Sequence, residues 1–105
     1  MKIDFSRSGG FAGIRLTALI DTETLPSAEA QQLCRQVEES GIFDLPAVLR
    51  SDAPGGDRFQ YRVKIEDGNR KKEIIADEAA VPESLRPLLD DLTDRARSGQ
   101  KRKSS

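Results

Sequence analysis

The groups available for chemistry in this chain are carboxylates, a single thiol and a cluster of glycines. Histidine is absent and Cys34 is the one cysteine. That removes Ser-His-Asp and Cys-His catalysis, zinc sites built on His or paired Cys, and an intrachain disulfide framework. Asp90-Asp91 and Glu38-Glu39 are candidate acid–base doublets, but neighbours on a helix point in different directions. Neither pair converges on a substrate, so both read as solvated helix faces. Asp52, Asp57, Glu66 and Asp67 lack the twelve-residue ligand loop of a calcium site. Cys34 falls on an apolar helical stripe and reads as a small buried hydrophobe. These residues predict a protein that is not an enzyme, with no catalytic residues, no metal ligands and no cofactors.

The glycine cluster Ser8-Gly9-Gly10-Phe11-Ala12-Gly13 is the most informative segment. A phosphate- or dinucleotide-binding loop opens a helix, whereas Ile14–Asp21 alternates like a strand, and no Lys-Ser/Thr pair follows. Two readings remain. In one, the glycines supply tight backbone geometry and Phe11 tucks into the core. In the other, the loop is exposed, Phe11 is an aromatic anchor, and its small neighbours allow a partner's backbone to approach.

These residues need a scaffold, and 105 residues provide one domain with a modest core. Residues 2–7 alternate around Ile3 and Phe5, and residues 14–21 around Ile14, Leu16, Ala18 and Ile20, predicting two antiparallel strands. Leu19 breaks the polar face of the second, as if it lay under a loop. Pro26-Ser27 starts a helix, with Ser27 as N-cap and Glu29 in the first turn. Ala30, Leu33, Cys34 and Val37 share its inner face, and Gly41 ends it. The stretch from Ile42 to Pro54 reads as a packed loop.

Phe59, Tyr61, Val63 and Ile65 alternate with polar residues into the hairpin signal Asp67-Gly68. A two-residue turn there pairs Tyr61 with Ile74, Phe59 with Ala76 and Arg62 with Glu73, and sets Lys64 against Lys71. Leu85, Leu88, Leu89, Leu92 and Ala96 form a second helical stripe, whose start is restricted by Pro82 and Pro87. The predicted fold class is α+β: a four-stranded antiparallel sheet with a long helix on one face, plus a short C-terminal helical segment. Residues 1–97 form the domain and 98–105 a disordered basic tail.

The whole chain carries −1, and the segment from Arg95 onward carries five basic residues and no acidic ones, which leaves −6 on residues 1–94. An acidic body with a short basic tail is not a nucleic-acid footprint. Arg70-Lys71-Lys72 lacks interleaved aromatics and reads as solubilising charge. No apolar stretch follows Met1 and none is long enough to span a membrane. The expectation is a soluble cytoplasmic monomer, without a signal peptide, that binds neither nucleic acid nor membrane; any export would take a non-classical route.

Met1-Lys2-Ile3 followed by Arg7-Ser8-Gly9-Gly10-Phe11-Ala12-Gly13-Ile14 resembles emfourin. So do the Leu25-Pro26 boundary, Phe59-Gln60-Tyr61-Arg62-Val63, and Val81-Pro82-Glu83-Ser84-Leu85-Arg86-Pro87-Leu88. The likeness extends over nearly the whole chain except the basic tail. Emfourin-like proteins are small inhibitors of thermolysin-like and protealysin-like zinc metallopeptidases. The resemblance implies a partner of that class, a cleft-blocking role, and a helix set against a four-stranded sheet. Under this reading Ser8, Gly9, Gly10, Phe11, Ala12 and Gly13 are the target-binding residues. The target's zinc would be met by a carboxylate, a backbone carbonyl or the Met1 amine, or would not be ligated at all. The alternative is a non-inhibitory interaction module that binds a regulatory partner through its sheet.

Overall fold

The structure is a computed structural model that describes residues 1–9, 15–51 and 59–103, with side chains through residue 98. Its sheet holds β1 (Lys2–Gly9), β2 (Leu16–Asp21), β3 (Val48–Leu49), β4 (Phe59–Asp67) and β5 (Arg70–Asp77), in the order β2-β1-β4-β5-β3. Helices α1 (Ser27–Ser40) and α2 (Arg86–Lys103) complete the fold. The α+β class is as predicted, but the sheet is not four-stranded and antiparallel. A fifth strand, β3, lies in the stretch read as a loop and pairs with β5 in parallel. With two residues it is too short to show alternation.

Period-2 patterning divides the sheet into two faces. Ile3, Phe5, Leu16, Val63, Ile65, Ile74 and Ala76 are buried on one face, against Leu33 and Val37 of α1 and Leu88, Leu89, Leu92 and Ala96 of α2. The opposite face carries Lys2, Asp4, Thr17, Arg62, Lys64 and Glu73, all exposed. Leu19 shares that face and is 82% exposed, not covered by a loop as its sequence suggested.

The β4–β5 register differs by two residues from the one predicted. Asp67 pairs with Arg70, so Gly68-Asn69 forms the turn, and Tyr61 faces Ala76 while Val63 faces Ile74. Gly68 has φ of 61° and Asn69 has no positive φ, the pattern of a II′ turn with glycine first. A slip of two keeps every side chain on its face, so hydrophobic alternation could not distinguish the two registers. Charge does: the observed pairing sets Lys64 against Glu73 and Glu66 against Lys71 in place of two lysines. Arg62 still reaches Glu73 diagonally, Nη2 to Oε2 at 2.6 Å.

Helix ends show smaller differences. The cap of α1 is Pro26, without a side-chain hydrogen bond, and Ser27 is the first helical residue. Gly41 ends the helix with φ of 65°, as its position predicts. Cys34 is half-buried. A 3-10 turn over Glu83–Leu85 precedes α2, which absorbs Pro87 in its first turn, where a missing N–H costs nothing. Helical backbone runs to Lys103, where composition predicts a disordered tail from residue 98.

Candidate functional site

Strand β1 places the glycine cluster. Its last residues, Ser8 and Gly9, pair with Gln60 and Phe59 at the start of β4. Gly9 has φ of 92°, a left-handed value that a side chain disfavours, so the chain turns out of the sheet at a residue suited to it. Ser8 is half-buried and Gly9 exposed. Gly10, Phe11, Ala12 and Gly13 lie outside the described residues, and the chain re-enters at Arg15 before β2. The structure therefore gives the root of the predicted site.

A second connection shares this end of the sheet. Segment 52–58 runs between Ser51 and Phe59, and both feet are fastened by adjacent carboxylates at the end of β5. Ser51 N–H donates to Asp77 Oδ2 at 3.3 Å, and Phe59 N–H donates to Glu78 Oε1 at 3.0 Å. In the Phe59 bond, a side-chain oxygen takes over where the β4–β5 ladder stops. Beside it, the Arg7 guanidinium lies 4.0 Å from the centre of the Phe59 ring, a cation–π contact joining β1 to β4 just below both connections. Arg7 Nε is buried and has no hydrogen-bond partner among the described residues. Sequence reasoning missed Arg7, Asp77 and Glu78. The available signal was an acidic doublet directly after a strand and opposite a Pro/Gly-rich segment.

The opposite end of the sheet is built differently. Thr22 N–H and its hydroxyl both donate to the Met1 carbonyl, at 3.0 and 3.3 Å, which places the N-terminus beside the β4–β5 turn. Gly9 lies eight positions along β1 from Met1, roughly 26 Å at the usual rise of a strand. There Arg70 Nη2 donates to Glu38 of α1 and, at 2.8 Å, to Asp67, and its guanidinium covers the Phe43 ring at 4.3 Å. These hydrogen bonds, Glu38 first and Asp67 second, raise the Arg70 pKa above its ordinary value. Glu73 does the same for Arg62.

An open groove of about 340 Å³ lies on the outer face between β2, β1 and β4, lined by charges of both signs (Lys2, Asp4, Asp21, Lys64, Glu66) around Leu19. It has no converging set of like groups to hold an ion. Among the described residues, no three His, Cys, Asp or Glu side chains come together as a metal site. No described helix is long and apolar enough to cross a membrane.

The fold and this site define a small α+β protein in which two connections rise from one end of a sheet, over anchored feet. The Emfourin family model matches residues 5–93. The chain belongs to the Emfourin family. The matched region contains the glycine cluster, both feet of segment 52–58 and most of α2's apolar stripe, and stops before the basic tail. No curated protein and no solved structure matches the chain.

Proposed function

We propose that this protein inhibits thermolysin-like, protealysin-type zinc metallopeptidases, using Ser8–Gly13 to occlude the active-site cleft. Membership of the Emfourin family over residues 5–93 is the observation that carries the reading. The anchored root of the loop supports it. A segment that must fit a cleft loses less freedom on binding when its base is already held, and Gly9, Phe59 and Glu78 hold that base. Phe11 is the anchor, filling the pocket that accepts a bulky apolar residue just after the scissile bond. Gly9, Gly10 and Gly13 let the backbones come close.

The Met1 amine sits at the far end of β1, so it does not meet the target's zinc while Phe11 fills the pocket. Inhibition then proceeds by occlusion, or by a carboxylate or backbone carbonyl from the loop end. The protein is made in the cytoplasm and performs no catalysis of its own.

Titration against a thermolysin-like peptidase, followed by cleavage of a short fluorogenic peptide, tests this reading. Stoichiometric loss of activity, with the inhibitor recovered uncleaved, is the expected result. Full activity at large excess against both thermolysin-like and protealysin-like enzymes would overturn it.

A further inference from the structure

The two edges of the sheet are protected unequally. Folded proteins guard edge strands by keeping them short, by placing Lys or Pro on them, or by inserting bulges. The β3 edge follows this rule, with two residues directly after Pro46-Ala47. The β2 edge has none of these devices, although α2 packs against the strand. Leu16–Asp21 is six residues long, contains neither Lys nor Pro, and pairs with β1 in unbroken register, Asp21 opposite Lys2 through Leu16 opposite Arg7. Among the described residues, β2 has no strand on its other side.

Hydrogen-bond parity shows what this edge offers. Thr22 N–H donates to the Met1 carbonyl, and residues 22 and 1 continue the β1–β2 register. In an antiparallel ladder bonded pairs alternate with unbonded ones. Ala18 and Ile20 therefore direct their backbone groups to β1, while Thr17, Leu19 and Asp21 direct theirs outward. The same alternation on β5 turns Ile75 N–H toward Ala47, where a bond of 2.9 Å is found.

We infer that the β2 edge docks a second copy of this chain, antiparallel about Ala18, to make one continuous sheet. Three features of the strand are self-complementary in that register. Arg15 falls opposite Asp21 of the second copy, and Asp21 opposite its Arg15, so two opposite-charge pairs close the ends. Thr17 falls opposite Leu19, covering a leucine that is otherwise 82% exposed. Ala18 meets its own counterpart at an unbonded pair, where side chains approach most closely and a small one fits. Ala18 and Ile20, half-buried at the margin of the core, then continue that core across the seam. A shift of one residue would set Leu19, whose backbone groups face outward, opposite Ala18, whose groups are directed to β1, and would turn the second copy's core to the other face of the joined sheet. The Leu16 ends of the two β2 strands lie at opposite ends of the seam in this arrangement, and the inference does not depend on the inhibitory reading.

Sedimentation of the full chain over a concentration series, from about micromolar to about millimolar, reads the association directly. The expected mass rises from 11.6 kDa toward twice that value. Leu19→Lys, which places a charge on an exposed position, and Leu19→Pro, which removes an outward N–H, both hold the mass at the monomer value with unchanged circular dichroism. Hydrogen exchange supplies a second readout: the amides of Thr17 and Leu19 gain at least tenfold protection with concentration, while those of Ala18 and Ile20 are protected throughout. A constant mass up to the highest concentration overturns the inference. So does an equal rise in Leu19→Lys, which would place the contact on another surface.

Discussion

At the Met1 end of the sheet, β4 and β5 are joined by Gly68-Asn69 alone, and Arg70 ties that turn to α1 through Glu38 and to the Phe43 ring. At the Gly9 end, two longer connections leave the sheet, and the fastening groups lie at their feet: Asp77 on Ser51, Glu78 on Phe59, and Arg7 over the Phe59 ring. One end uses its polar residues to close the fold locally. The other uses them to hold the bases of segments that include Phe11 and its glycines. The contrast separates two kinds of sequence: residues that finish a sheet, and residues that a finished sheet presents.

The largest effect that can break this comparison belongs to Phe11→Ala. It is expected to weaken inhibition by about 2 kcal/mol, roughly thirtyfold, with no change in Tm. Equal inhibition by the folded variant would remove Phe11 from the contact surface.

Glu78→Ala comes next, because it leaves the partly buried Phe59 N–H without its acceptor. A stability loss of about 1 kcal/mol is expected in chemical denaturation, together with weaker inhibition as the foot of segment 52–58 loosens. Loss of stability with inhibition intact would confine Glu78 to the fold.

Arg70→Ala, at the other end, should leave inhibition untouched and lower Tm slightly, by an amount that shrinks in high salt because its partners are exposed. Alkaline pH is a poor probe of this site. A raised guanidinium pKa makes its contribution fully present below the ordinary Arg value and lost only above it, outside the usable range. The smallest effect is expected from truncation after Gly99, beyond the end of the family match at residue 93: inhibition should persist within error in the same peptidase titration. Its loss would put the basic C-terminus on the target.

Most elements were legible because burial writes a period into the chain. β1, β4 and β5 alternate, and the stripes of α1 and α2 repeat at helical spacing, so residues such as Phe5, Val63, Leu33 and Leu92 could be assigned to the core from pattern alone. Features carrying no period were not legible. Val48-Leu49 is too short to alternate, and a hairpin slip of two residues leaves every face unchanged. Leu19 looked like a covered residue because its sequence neighbours do not reveal that β2 lies at an edge. At the candidate site, the glycine cluster was visible by composition. The feet were not, since Glu78 reaches Phe59 N–H across 19 positions of chain and Arg7 reaches the Phe59 ring from the far side of the sequence. Spacing says nothing about such contacts until the sheet order is known.

The position of β1 has a consequence for how the molecule comes into being. β1 precedes the other described strands along the chain yet lies inside the sheet, and its second partner arrives late: Ile3 waits for Ile65, 62 positions further on. The β1–β2 hairpin and the β4–β5 hairpin each close over short separations, but the core is complete only when β1 docks on β4 across α1 and β3. Loop-closure entropy falls on that one long-range step before its burial can compensate. Until it occurs, the nascent chain carries Ile3 and Phe5 on an open strand, so the N-terminal half depends on the rest of the chain for its shelter.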